Sequence, residues 1–227
     1  MGKVLFTRKN ADADINYVAG RVSYVREGTG AMEGKVVNIG MTITVYNRET
    51  KENEKKYLSV GFFNSDQSAL ADMVKNAKVR AGSFILMTVG TLRDQGTAND
   101  GTPRVSAYGF SFDYSCAREI KSGDKTYMLI AGSARNIQDD ESRSQIRFSI
   151  PASVYDRAEK KNTTVWYGVT AQNSERRNLY NYAKSLIVDG SAVALLCSAV
   201  RETEKGGRTY RNCLMFDAVA QQPESKE

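Results

Sequence analysis

The chain has 227 residues, 41% of them hydrophobic, enough to bury one large core or two of roughly 100–120 residues each, which excludes general disorder. A formal net charge of +6 suits a polyanionic partner without demanding one. Histidine is absent, which removes Ser-His-Asp and Cys-His nucleophiles, histidine-ligated zinc and histidine acid–base catalysis together.

The three cysteines, Cys116, Cys197 and Cys213, are scattered and never form C-x-x-C, so they read as buried free thiols in a reducing compartment. From Met1 to Asp14 the only apolar run is Val4-Leu5-Phe6. No signal peptide is expected, and no stretch approaches ~18 apolar residues. The chain is therefore expected in the cytoplasm, away from membranes.

Tyr17 to Tyr24 reads as a strand interrupted by Gly20, the mark of a bulge or a barrel corner. After a glycine-containing turn, Val36 to Tyr46 alternates, with Met41, Ile43 and Val45 on one face. A charged loop, Arg48 to Lys56, leads into Tyr57 to Asn64. There Leu58, Val60 and Phe62 share one face, and Tyr57, Ser59, Gly61 and Phe63 the other. Ser65 and Asp66 suit a helix N-cap. Leu70, Met73, Val74 and Ala77 then form one helical stripe, which Gly82 ends. Ser83 to Leu92 is a strand, Arg93 to Pro103 a loop and Arg104 to Tyr114 a final strand. The order is β-β-β-α-β-β.

The second half repeats the first. Gly20-Arg21-Val22 returns as Gly132-Ser133-Ala134, the helix stripe as Leu179, Tyr182, Ala183 and Leu186, and Gly82 as Gly190. Leu92-Arg93 returns as Val200-Arg201, Arg104 as Arg211, and Val45-Tyr46-Asn47-Arg48 as Val154-Tyr155-Asp156-Arg157. Each copy is long enough to be a domain rather than a solenoid repeat. The boundary falls near residues 115–126, where the chain turns polar, giving domains 1–116 and 117–220 and a short polar tail, 221–227.

Five strands with one helix between the third and fourth is the order of the OB-fold, a small Greek-key barrel that often binds oligonucleotides. The expected fold is all-β with one short helix per domain: two tandem five-stranded OB barrels. Gly20-Arg21-Val22, Gly40-Met41-Thr42-Ile43, Tyr57 to Phe63 and Gly90-Thr91-Leu92-Arg93 resemble the G-R-L, N-L-T-L, W-x-x-V-x-x-F and G-x-L segments of the bacterial single-stranded DNA-binding (SSB) family. The first half matches over nearly its full length and the second chiefly through the first. The resemblance puts Tyr57 and Phe63 where bases stack in that family. It also implies a homodimer presenting four OB-folds. Many members end in an acidic tail with an apolar tip; this chain ends Gln-Gln-Pro-Glu-Ser-Lys-Glu, so a specialised role fits better than general duty.

The residues themselves supply the rest of the candidate site. Aromatic rings stack bases and cations track the phosphate backbone. Strand parity sets Tyr57 and Phe63 opposite the core, as stacking or interface residues. Aligning Gly168 with Gly61 puts Trp166 opposite Ser59, with Thr164 and Thr170 replacing Tyr57 and Phe63. That makes Trp166 either a DNA-facing ring or a core or dimer anchor. Tyr46 and Arg48, with Lys51, Lys55 and Lys56, open one strand 2–3 loop. Tyr155, Arg157, Lys160 and Lys161 open the other. Glu49, Glu52, Glu54 and Glu159 interleave with them, as on an ordinary solvated hairpin. Arg93, Arg104, Arg201, Lys205, Arg208 and Arg211 flank the strand 4–5 loops, the other oligonucleotide-facing loops of the fold.

No phosphate-binding G-x-x-x-x-G-K-[ST] loop is present, Gly28-x-Gly30 is an isolated turn, and Asp139-Asp140-Glu141 lacks companion ligands. No catalysis, cofactor or metal is expected. The expected function is binding of single-stranded DNA with little sequence preference. The rival readings are a tandem-OB assembly module whose exposed rings bind protein, and a strand-annealing recombination mediator.

Overall fold

In the computed structural model, which describes residues 1–47, 50–175 and 177–223, the chain divides between Asp113 and Tyr114 into two units. The polar stretch expected to separate the domains is instead the first hairpin of unit 2. Cys116–Ser122 and Lys125–Ser133 pair antiparallel across Gly123, a turn residue at φ +57°.

Unit 1 contains β1 (Gly2–Arg8), β2 (Ile15–Arg21), β3 (Tyr24–Glu27), β4 (Val36–Asn47), β5 (Glu52–Ser65), β6 (Ser68–Ala69), helix α1 (Leu70–Asn76), β7 (Phe84–Val89), β8 (Arg93–Thr97) and β9 (Pro103–Asp113). β2 and β3 act as one bent strand, β2 pairing with β7 and β3 with β4. β4 pairs antiparallel with β5, β5 runs parallel to β9, and β9 returns antiparallel to β7. That circuit closes a five-stranded Greek-key OB barrel, with β1 inserted between β2, to which it pairs antiparallel, and β4, to which it pairs parallel over Gly2 and Lys3. The parallel step needs a crossover, and α1 lies within it.

Alternation decides what goes inside. Ile39, Met41 and Ile43 of β4, Leu58, Val60 and Phe62 of β5, and Ile85, Met87 and Val89 of β7 form the core. Fully burying a side chain of this size contributes about 1.5–3 kcal/mol. From α1 only Ala71 and Val74 are buried, and Met73 and Ala77 of the expected stripe face solvent. The helix is capped from the preceding strand rather than by Ser65 or Asp66. The Asn64 carboxamide oxygen accepts from the amides of Ala71 and Asp72 at 2.9 and 3.2 Å. Gly82, at φ +91°, serves the turn before β7 and not the helix end at Asn76.

Unit 2 repeats the circuit with β10 (Cys116–Ser122), β11 (Lys125–Ser133), β12 (Arg135–Asp140), β13 (Gln145–Asp156), β14 (Lys161–Ser174), β15 (Arg177–Asn178), α2 (Leu179–Leu186), β16 (Ala192–Ser198), β17 (Arg201–Lys205) and β18 (Arg208–Gln221). β11–β12 is the bent strand, pairing with β16 and β13, and β14 runs parallel to β18. The duplication extends to single hydrogen bonds. The Gly82 amide donates to the Val22 carbonyl and the Gly190 amide to that of Ala134, both at 2.8 Å. Asn173 accepts from the Tyr180 amide at 2.9 Å, as Asn64 does in unit 1. On α2 the buried residues are Tyr180 and Ala183, with Tyr182 turned outward. Among the described residues no helix is long and apolar enough to cross a membrane.

Two expected loops are largely strand. Glu52 to Lys56 already belongs to β5, and Arg93 to Thr97 pairs with β9. Charged residues in these stretches alternate between two faces, because a strand's side-chain period is two. That sorting matters for the site.

Candidate nucleic-acid interface

In unit 1 the outward face of β4, β5 and β9 is built in rows. Thr42 lies beside Tyr57 and Tyr57 beside Arg104; Gly40 lies beside Ser59 and Ser59 beside Ser106; Asn38 lies beside Gly61 and Gly61 beside Tyr108. Directly opposed residues share a face. The Tyr57 ring therefore has an arginine as its strand neighbour, and Phe63 packs on Tyr108 with ring centroids 5.5 Å apart. Arg93 lies over the other end of the platform, its guanidinium 5.2 Å from the Tyr108 centroid.

A groove of about 620 Å³ runs over this face, with Tyr24, Arg26, Tyr57, Gln95 and Arg104 among its walls. Tyr24 is Gly40's partner in the ladder, and its ring lies across that glycine: a Cβ there would stand 1.9 Å from a ring carbon. The Arg26 guanidinium is 4.8 Å from the Tyr24 centroid. Past Ser23 and Thr42, which line both, a second cleft of about 600 Å³ opens between Arg21 and Lys55. The Lys55 ammonium stands 5.1 Å from the Tyr57 centroid and donates to its hydroxyl at 3.4 Å. Tyr57 donates in turn to Asp100 Oδ2 at 2.6 Å. The groove walls thus alternate π faces with cations, the arrangement that attracts both parts of a nucleotide.

Unit 2 places its rings differently from the sequence alignment. β5 and β14 each span 14 residues, and their starts (52 and 161) and ends (65 and 174) differ by 109. That difference carries Tyr57 onto Trp166 and Phe63 onto Gln172, so Trp166 does not stand opposite Ser59. The strand 2–3 ladders agree, Thr42 pairing with Tyr57 and Pro151 with Trp166. Trp166 is 53% exposed, and Tyr167 is buried in the core, its hydroxyl pushed up by burial. Trp166 is thus not a core anchor. Its neighbour on β18 is Tyr210, 46% exposed, since Tyr167 pairs with Arg211.

That register also moves Arg211. Leu58 pairs with Val105 and Tyr167 with Arg211, so Arg211 stands where unit 1 has Val105 and not where it has Arg104. Its guanidinium pairs with Glu202 at 2.8 Å. The remaining candidate residues sort by parity. Tyr46 and Tyr155, each 58% exposed, lie on the groove-side faces of β4 and β13 toward their far ends. Arg201 pairs with Asn212, and Lys205 with Arg208, on the face of Tyr210. Lys56 and Lys161 fall on the opposite face and pair with Glu54 at 3.3 Å and Glu159 at 2.5 Å. Glu54, which also accepts from Asn47, is held below the usual carboxylate range chiefly by that hydrogen bond and then by Lys56. Arg157 and Lys160 are in the β13–β14 turn, with Lys160 at φ +52°. Arg48 lies outside the described residues.

Sequence reasoning missed Tyr24, Arg26, Tyr108, Phe110 and Tyr210. Phe110 is 51% exposed on the same side of β9 as Tyr108. A signal existed in the alternation Arg104, Ser106, Tyr108, Phe110. Only the parallel pairing with β5 shows that this row adjoins Tyr57.

No protein-family model matches the chain, and no curated protein matches it. Among solved structures the chain is similar to the small single-stranded DNA-binding protein from Streptomyces coelicolor, at 18% identity over 43% of this chain and 95% of that one, with a TM-score of 0.33. It is also similar to a deletion mutant of the single-stranded DNA binding protein from Thermus aquaticus, at 11% identity over 94% of this chain and 98% of that one, with a TM-score of 0.29.

Proposed function

We propose that the chain binds single-stranded DNA with little sequence preference, stacking bases on outward rings of both barrels while arginines and lysines hold the phosphates. The observation that carries this reading is the unit 1 groove, where Tyr24 and Tyr57 alternate with Arg26 and Arg104. Every base has a π face, so stacking of this kind discriminates little between sequences. In unit 2, Trp166 and Tyr210 supply the rings, and Arg201, Lys205 and Arg208 supply cations on the same side. At ~4–16 nucleotides per OB-fold, one chain covers on the order of 10–30 nucleotides. The homodimer implied by the SSB resemblance, and a role in replication, recombination, repair or transfer, belong to the same proposal.

The test is an equilibrium titration with single-stranded and duplex oligonucleotides at two salt concentrations. The expected result is tight binding of oligo-dT that weakens steeply with salt and quenches Trp166, the chain's one tryptophan. Equal affinity for duplex DNA overturns the single-strand assignment. Light scattering at twice the chain mass checks the dimer, and a monomer refutes it.

A further inference from the structure

The tip of the β8–β9 hairpin reaches the floor of the groove. Residues Ala98 to Thr102 form a tight turn, the Ala98 amide donating to the Thr102 carbonyl and the Gly101 amide to the Ala98 carbonyl, both at 2.9 Å. Asp100 sits in that turn. Its Oδ1 accepts from the Thr102 amide at 3.0 Å, and its Oδ2 takes the Tyr57 hydroxyl at 2.6 Å. The carboxyl is held below its ordinary range first by the Tyr57 hydroxyl, then by the Thr102 amide, with a further contribution from the Lys55 charge. The anion therefore stands beside the tyrosine that faces the groove and within the field of its nearest lysine.

We propose that Asp100 is a latch: its carboxylate occupies the place of a backbone phosphate beside Tyr57 and Lys55, and an incoming strand must displace it before a base stacks on Tyr57. The latch rests on the nucleic-acid reading of this groove and adds a gate to it. Two further features fit a moving tip. The β8–β9 ladder is interrupted between Asp94 and Thr97, where Gly96 takes φ +74°. That break separates the tip from the part of β8 fixed to the barrel. A single hydrogen bond between exposed groups is also weak enough to open readily.

Unit 2 has no counterpart. Its hairpin pairs without interruption from Arg201–Asn212 to Lys205–Arg208 and closes through Gly206-Gly207, with no carboxylate at the tip. Trp166 has no hydroxyl to tether.

The experiment measures binding of a fluorescein-labelled oligo-dT strand to the full chain by anisotropy and stopped flow. Asp100→Ala is expected to bind roughly three- to tenfold tighter, mostly through faster association, as removal of an opposing rim charge does. Tyr57→Phe keeps the ring and leaves the charge unchanged, removing the tether together with the longer 3.4 Å contact from Lys55, and it too is expected to bind tighter. Because both changes release one contact, the double variant should gain no more than the better single one. Asp66→Ala, which removes a carboxylate from the turn beyond β5, sets the gain due to net charge alone and should stay below about twofold. If wild type holds oligo-dT but Asp100→Ala is no tighter than Asp66→Ala, or Tyr57→Phe is no tighter than wild type, the latch is overturned and the groove reading stands. If neither wild type nor any variant holds oligo-dT, the groove reading fails and the latch with it.

Discussion

Tyr57 and Trp166 occupy the same position on the third strand of two barrels built to one plan, yet their surroundings differ. Tyr57 lies in a walled groove, tethered through its hydroxyl to Asp100 and beside Lys55 and Arg104. Trp166 lies open on a face where Pro151 and Tyr210 are its neighbours. Arg211, which by sequence offset is a counterpart of Arg104, is turned to the other face and paired with Glu202. Duplication has preserved the scaffold down to capping side chains, while the ring, the cation beside it and the hairpin above it have diverged together. Backbone geometry resists change because each ladder bond needs its partner. An outward side chain is freer to vary because no ladder bond or core contact depends on it.

The comparison breaks first at the core. Phe62 is fully buried, and the 109-residue difference places Ala171 at the same point in unit 2. Phe62→Ala should cost about 3–5 kcal/mol in unit 1 alone. Calorimetry should then resolve a lowered unit 1 transition beside an unchanged unit 2 transition. A single transition moving as a whole would show that the units do not unfold separately.

The next largest effect should be on binding. Trp166→Ala is expected to cost about 1–3 kcal/mol of oligo-dT affinity, the worth of one stacked base, with Tyr57→Ala in the same range after correction for its release of Asp100. A loss confined to one of the two would assign the ligand to one barrel. For stability, Asn64→Ala should cost about 1 kcal/mol and Asn173→Ala less, since Asn64 accepts from two helix amides and Asn173 from one in the structure. Denaturant midpoints measure this. The smallest effect distinguishes the arginines. Arg104→Ala should lower the log–log salt slope of binding by about 1, as loss of one phosphate contact does, whereas Arg211→Ala should leave the slope unchanged.

The barrel was legible because its signals are local. Alternation in residues 36–46 and 57–64, the helical stripe after them and the recurrence of Gly82 as Gly190 each need only neighbouring residues. Register between distant strands was not. Gly61 and Gly168 each interrupt an apolar run and invited alignment, but the strand ends set Gly61 against Thr170, two residues further along. That shift preserves parity, so sequence alignment sets Trp166 on the outward face it occupies but opposite the wrong partner. Arg211 failed the other way, since an offset wrong by one exchanges faces. Tyr108 and Phe110 belong to the final strand in sequence, and the place of Tyr108 beside Gly61 and Phe63 depends on a parallel pairing between distant segments that no local pattern encodes. Asp100 looked like part of a polar loop for the same reason.

The parallel contact between β5 and β9 also governs when each barrel can exist. β9 is the last strand of unit 1 to be made, and it alone joins β5 to β7. Until Asp113 has been synthesised, β5 presents an open backbone edge and the barrel lacks its fifth strand. Closure must then bring together segments far apart in the chain, a slow search compared with forming the β4–β5 hairpin. During synthesis the nascent first barrel is therefore an incomplete sheet with a pairing edge, the state most open to wrong partners. The strands of the second barrel, alike in order but different in sequence, follow it directly.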